Sequence, residues 1–209
     1  MSKTVNLTWR GHSCFKLEQD GFSIVVDPYK DGKVPGLSDL RDTANRIICS
    51  HSHDDHGYVE AITYQETEQE NPFQLTMIAC PHDDEGGTKR GMNMIHVFDN
   101  GELRIAHFGD IGCPLNEKQK EMLGSLDVVM VPVGGFYTME PDGIEAMLEE
   151  LNPTVVIPMH YRTESFGFPV IGTLDDFLKY RSDVVRYETN TLQLTPGMPR
   201  QTAVLKYLG

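Results

Sequence analysis

The most chemically loaded stretch of this chain is His51-Ser-His53-Asp-Asp55-His56, four metal-capable side chains in the spacing H-x-H-x-D-H. It directly follows the short apolar run Arg46–Cys49. In extended backbone alternate side chains share a face, so His51 and His53 are expected to reach one metal ion. Asp55 and His56, on the turn that follows, are expected to aim at a second. Imidazole with carboxylate suits Zn²⁺, and also Mn²⁺ or Fe²⁺, and no thiolate is present in the cluster to narrow the choice. A solvated polar loop would rarely gather four spaced ligands at a strand end.

Several residues further along fit the same chemistry. His82, His96 and His107 all stand between the cluster and Asp110. His82 opens a polar, glycine-containing loop (His82-Asp-Asp-Glu-Gly-Gly87), a suitable setting for a site residue, with Asp83 and Asp84 suiting either support of a ligand or, more simply, solvated loop charge. His96 sits beside Val97 in an apolar run and reads as a core or surface histidine. His107, two residues before Gly109, suits either orienting Asp110 or plain packing. His12 follows a glycine at a strand start and suits either the lining of a site or the core. Tyr137, in a Gly-Gly-Phe-Tyr turn, could donate a hydrogen bond to a developing oxyanion, or serve structure alone. Lys89-Arg90 and Arg162 lie near His82 and His160 in sequence and suit either an anionic group or ordinary solvated surface. No G-x-S-x-G signature offers a serine nucleophile.

These residues must be held by elements, and the first third of the chain predicts strands. Val5–Trp9, Cys14–Leu17 and Phe22–Val26 are rich in β-branched and aromatic residues. Asp27-Pro28 ends the third, and a Gly/Pro loop spans Lys30–Gly36. Residues 60–72 are polar with no clear period. Leu75–Ala79, Asn93–Phe98 and Leu103–His107 predict strands, the last two joined by the hairpin signal Asp99-Asn-Gly101. The spacing predicts helices over Asn116–Leu123, with Asn116 as N-cap, over Pro141–Leu151 and over Leu174–Tyr180. Val128–Val133 and Val155–Pro158 predict buried strands, and the tail two more. Strands first, then a mixed half, with no linker or repeat, accommodate two sheets covered by helices, an αββα sandwich of the α/β (α+β) class.

A length of 209 residues predicts one domain, 1–209. The formal charge of −13, from 18 basic and 31 acidic residues, repels phosphate backbones and anionic lipid, so neither nucleic acid nor a membrane is an expected partner. A small-molecule substrate is expected instead, and a homo-oligomer is compatible with the composition. The beginning of the chain carries no apolar run of signal-peptide length. Four separated cysteines, without a C-x-x-C pair, suggest free thiols in a reducing cytoplasm.

The motifs also fall in a fixed order. Thr8-Trp-Arg-Gly-His12-Ser is followed by Asp27-Pro28, the H-x-H-x-D-H cluster and Pro81-His82. Then come Phe108-Gly-Asp110-Ile-Gly112, Pro132-Val-Gly-Gly-Phe-Tyr137-Thr-Met and Pro158-Met-His160-Tyr. In this series the chain resembles the metallo-β-lactamase superfamily. More narrowly, it resembles the branch of small metal-dependent hydrolases akin to L-ascorbate-6-phosphate lactonases. The resemblance implies one ion, most simply zinc, on His51, His53 and His82, and a second on Asp55, His56 and His160, with Asp110 bridging. It implies a hydrolase using a metal-activated bridging hydroxide, with Asp55 holding or relaying the water's proton. A small ester, lactone or phosphoester is the expected substrate, because 209 residues leave little room for appended substrate domains. An RNase Z-like nuclease shares the cluster but calls for a basic surface. A flavodiiron-type di-iron oxidoreductase calls for a glutamate ligand and a flavin module. A metal-binding scaffold without activity is usually betrayed by missing ligands.

Overall fold

The computed structural model describes residues 4–209; Met1–Lys3, the start of the segment expected to carry no leader, lie outside the described residues. Its elements run β1 (Val5–Gly11), β2 (Cys14–Gln19), β3 (Phe22–Val26), β4 (Asp42–Ala44), β5 (Arg46–Ile48), β6 (Ile62–Tyr64), β7 (Gln74–Pro81), β8 (Met92–Asp99) and β9 (Arg104–His107). Then follow α1 (Glu117–Leu123), β10 (Val128–Pro132), α2 (Pro141–Leu151), β11 (Val155–Met159), α3 (Leu174–Leu178), β12 (Val184–Arg186), β13 (Thr191–Leu194) and β14 (Gln201–Val204).

Two sheets carry the fold. The first has the order β13-β1-β2-β3-β5 and the second β12-β14-β11-β10-β9-β8-β7. Alternation dictates how the first sheet packs. Leu7 faces Leu17, and Phe15 and Leu17 face Val26 and Ile24 across the β2–β3 pair, all on the side turned to the main core. Cys14 and Val25 point the other way, into a smaller cluster with Tyr29, Val34, Leu40, Ala44, Ala61 and Ile62. In the second sheet β10 and β11 are buried throughout, as expected of parallel strands covered on both faces. The main core joins residues of both sheets, with Phe15, Phe98, Phe108 and Phe177 among its largest fully buried side chains. Each such side chain contributes about 1.5–3 kcal/mol through burial.

The helices form for the predicted reasons. Asn116 and Gln119 cap α1 reciprocally, so two otherwise orphaned backbone N–H groups are satisfied. Pro141 opens α2, Ile144, Met147 and Leu148 form its buried stripe, and Asn152 ends it in a left-handed conformation. The Asp99-Asn-Gly101 turn joins β8 to β9 antiparallel, with Gly101 at a φ of +84°. The polar region 60–72 holds a single 3₁₀ turn, Val59–Ala61, and then β6, which pairs with β4 beside the smaller core. On that outer side the covering layer is therefore mostly loop, and the three α-helices among the described residues all fall in the second half of the chain. The tail supplies three strands instead of two, and β4 has no clear signal in the sequence. Both are three- or four-residue strands stabilised by neighbours, where local pattern says little. No helix among the described residues is long and apolar enough to cross a membrane. All four cysteines are free thiols.

Candidate metal centre

Most chemically marked residues lie at the carboxyl end of a strand, whereas His96 lies within β8 and Lys89 and Arg90 lie in the loop before it. His12 leaves β1, Asp27 leaves β3, the 51–56 cluster leaves β5, His82 leaves β7, Asp110 leaves β9, Tyr137 leaves β10 and His160 leaves β11. Within each sheet these strands run in the same direction, so their ends converge on one edge of the sandwich.

Asp55 and His56 lie on a turn as expected, but residues 51–53 form a bend where extended backbone was expected. The backbone N–H groups of His56 and Gly57 both donate to the His53 carbonyl, 2.9 and 2.7 Å away. His51 and His53 still meet, with ring centroids 4.6 Å apart. Asp27 organises this turn from below. Parallel pairing of β3 with β5 sets Val26 beside Ile48, so the next residues fall side by side. The Asp27 carboxylate then accepts from the Ser50 backbone N–H and hydroxyl, both at 2.6 Å, and from His56 Nδ1 at 2.8 Å. A carboxylate behind a histidine fixes the ring's tautomer and orientation and frees Nε2 to face the site. The sequence had marked Asp27 only as part of a motif; its function as an anchor depends on a strand pairing that local sequence does not disclose.

Asn93 is a second organiser that sequence reasoning missed. Buried in β8, it donates through Nδ2 to the Phe108 carbonyl at 2.8 Å and accepts the Asp110 N–H at 2.8 Å. Gly109 passes so close that a Cβ there would lie 2.2 Å from the Asn93 amide oxygen, and its φ of +52° is left-handed. His107 sits behind this turn: Gly109 N–H donates to its Nδ1 at 3.1 Å, and its Nε2 faces the Ser13 carbonyl at 2.8 Å. Both ring nitrogens are thus engaged away from the open cavity, and His107 holds the loop that carries Asp110. His96, one residue from Val97 in β8, is buried across from His107 and joins none of the ligand groups.

The potential ligand atoms form two main sets. His51, His53 and His82 lie within 4.8 Å of one another, and so do His12, Asp55, His56 and His160. Asp110 stands between them. Its Oδ2 is 3.4 Å from His82 Nε2 and 3.3 Å from His160 Nε2, and its Oδ1 is 3.3 Å from His56 Nε2. His12 is the unexpected member of the second set, its Nε2 3.5 Å from Asp55 Oδ2. It reaches this position through a left-handed turn at Gly11-His12 (φ +104° and +50°). Asp27 and His160 share that rare conformation, at φ +52° and +53°. Non-glycine residues held at positive φ cost on the order of 1–3 kcal/mol each and cluster at functional sites.

The donor set fits metal ions. Nε2 of His51 and of His56, both ring nitrogens of His12 and of His160, Nδ1 of His82 and Oδ1 of Asp110 are buried without a hydrogen-bond partner. Buried polar atoms are normally satisfied, and the orphaned Nε2 atoms of His12, His51, His56 and His160, which face Asp55 or Asp110, point to cations. Electrostatics agrees. Burial, with His160 beside it, pushes His12 down to about 4, and burial with His56 pushes His51 down to about 3. Burial likewise lowers His82. These rings are neutral at physiological pH, the form that ligates. Burial opposes a charge on His56 too, but the Asp110 and Asp27 carboxylates outweigh it and raise its pKa well above the imidazole range. Asp110 falls well below the carboxylate range: burial opposes its charge, and His160 and His56 overcome that.

A cavity of about 520 Å³ opens above this centre, lined by His53, Asp55, His82 and Asp110, by Lys33, Ser52 and Asp54, and by Arg90, Tyr137 and Phe168. Tyr137 therefore faces the cavity. Asp83 corrects the expectation of a solvated charge: it is buried, and its carboxylate accepts the backbone N–H groups of Glu85, Gly87, Lys89 and Arg90 at 2.7–2.9 Å. Lys89 turns outward to Asp84 and Glu85, and Arg162 donates to the Ile171 carbonyl at 2.8 Å. Of the cations marked in the sequence only Arg90 reaches the cavity, and Lys33 joins it from the loop after β3.

A family model described as a β-lactamase superfamily domain matches residues 6–160. A UPF0173 metal-dependent hydrolase of Hyperthermus butylicus is 26% identical, over 90% of this chain and 96% of its own length. A protein of the same description from Methanopyrus kandleri is 25% identical, over 92% and 98%. The solved structure of a candidate zinc-dependent hydrolase of the metallo-β-lactamase superfamily from Thermotoga maritima is 30% identical. It superposes with a TM-score of 0.75, covering 96% of this chain and 97% of that one.

Proposed function

Because the chain belongs to the metallo-β-lactamase superfamily, we propose that it is a dinuclear metal-dependent hydrolase acting on a small ester, lactone or phosphoester. The observation that carries this reading is Asp110, whose two carboxylate oxygens contact His56, His82 and His160 from both ligand sets at 3.3–3.4 Å. His51, His53 and His82 would hold one ion, and Asp55, His56 and His160, with His12 beside them, would hold the other, with Asp110 placed between the two sets. Nitrogen and carboxylate ligands favour zinc, with manganese or iron as alternatives. Metal ions held there would supply Lewis-acid chemistry, lowering the pKa of a bound water from 15.7 toward about 7 and polarising the scissile group.

The chain's own residues supply the rest. Asp55 lines the cavity and takes the proton of the attacking water, with His12 at 3.5 Å to share the charge. Tyr137 stands on the cavity wall, with no protein hydrogen bond to its hydroxyl among the described residues, free to donate to an oxyanion. His107 and Asn93 act indirectly, by fixing the turn that presents Asp110. The cavity's volume suits a small molecule, and the charge of −13 disfavours a nucleic-acid substrate.

The test is elemental analysis of protein expressed with ample metal, followed by a screen of lactones, phosphodiesters and thioesters with and without chelator. About two ions per chain and chelator-sensitive turnover of at least one class are expected. Less than one ion per chain, or turnover indifferent to chelation, overturns the reading.

A further inference from the structure

We infer that Arg90 and Lys33 form an oxyanion-binding rim on the mouth of the cavity, so the natural substrate carries a carboxylate or phosphate beyond the group that is cleaved. The inference rests on the catalytic reading above and sharpens its substrate class. Acidic residues outnumber basic ones 31 to 18, and most cations elsewhere pair with a carboxylate. The unpaired exceptions among the described residues, such as Lys118, Lys179 and Arg200, lie exposed and away from the cavity. Lys16 and Arg10 pair with Asp42, Arg41 with Asp31, and Arg181 with Glu145 and Asp183. Arg90 and Lys33 come from two different loops to the same cavity, and neither has a carboxylate within ion-pair distance among the described residues.

Arg90 is also held in place. Its backbone N–H donates to buried Asp83 at 2.7 Å, which ties the end of the 83–90 loop to a fixed point. Its guanidinium lies over the Tyr137 ring, 5.4 Å from the centroid, so the planar fork is stacked before any ligand arrives. A pre-ordered guanidinium loses little freedom when it grips an oxyanion by two hydrogen bonds. Lys33 is exposed and supplies a mobile point charge from the opposite loop. The carboxylates lining the cavity are accounted for: Asp54 pairs with Lys30, and Asp55 and Asp110 belong to the metal centre. Phe168 adds an apolar wall against Tyr137, with ring centroids 6.0 Å apart, so a short carbon spacer between the two ends of a substrate would be well housed.

The test compares probes with one and two anionic ends on zinc-loaded protein, by calorimetry: methyl phosphate against 2-phosphoglycolate, and acetate against succinate. The two-ended probes are expected to bind at least tenfold more tightly, and the phosphate and carboxylate pairs tell which oxyanion the rim prefers. Arg90→Gln and Lys33→Gln together should erase that advantage while zinc content, measured alongside, stays at the wild-type level. Equal binding of one- and two-ended probes, or an advantage that survives the double substitution, overturns the rim. Failure of the catalytic reading would look different: an intact two-ended advantage in a protein that hydrolyses nothing.

Discussion

His56 Nδ1 and Asp27 Oδ2 meet at 2.8 Å with both side chains fully buried. The contact joins the last turn of the ligand cluster to the end of a strand 29 residues earlier. Asp27 is held at about 2, because His107 and His56 offset the penalty of burying its charge. Removing that charge while keeping the shape should weaken the grip on His56. Asp27→Asn is expected to lower metal affinity by about 10–100-fold, the usual cost of losing a carboxylate behind a ligating histidine. Competition with a graded series of chelators measures it, and affinity within twofold of wild type would contradict the anchoring role.

Asp110 is predicted to separate a two-metal centre from a one-metal scaffold. A carboxylate between two cations offsets their repulsion, which is large in a partly dry site. Asp110→Asn should lose or weaken one ion before the other, and hydrolysis should fall with it, while circular dichroism stays that of a folded protein. Two ions retained with full activity would leave Asp110 as a turn residue only.

His82 and His96 make opposite predictions from the same substitution. His82 shares a set with His51 and His53, whereas His96 is buried in β8 outside every ligand group. His82→Ala should strip metal, and His96→Ala should cost stability while leaving metal content intact. The reverse pattern would show that the first set has been misassigned.

Acid should unfold the protein partly through His96. Burial pushes this ring from 6.5 down to about 4. Between those values the unfolded chain binds a proton that the folded one refuses, so stability falls as pH drops from 6.5 toward 4 and levels off below. The contribution is on the order of 3 kcal/mol, at about 1.4 kcal/mol per pH unit. Urea denaturation of metal-free protein at pH 6.5 and 4.5 should show a shallower decline for His96→Gln than for wild type. Parallel declines would exclude His96 as the cause.

Gly109 is expected to tolerate no side chain. A Cβ there meets the Asn93 oxygen at 2.2 Å and the Ser50 Cβ at 2.6 Å, on a left-handed backbone. Gly109→Ala should displace Asp110 and lower both thermal stability and metal content. Metal content equal to wild type would mean that the turn yields without moving the carboxylate.

The sequence by itself marked the H-x-H-x-D-H cluster, whose residue types and spacing few other purposes require, while Asp110 and His160 stood out through the family resemblance. It was also enough for most strands and all three helices, whose signals, such as the Asn116 cap and the 144-147-148 stripe, act within a turn or two of chain. What it left open was decided by contacts between distant segments. Asp27 became the anchor of His56 only through parallel pairing of β3 with β5, and Asn93 came to hold Asp110 only because β8 runs beside β9. His12 entered the second ligand set because a left-handed turn brings it beside Asp55, and Lys33 and Arg90 came to line one cavity because two distant loops border it. Asp83 and Asp84 are adjacent and chemically alike, yet one is buried under four backbone N–H groups and the other is exposed. Residue type sets what a side chain can do; which partner and how much water it meets are properties of the packed chain, and those fix its charge and its role.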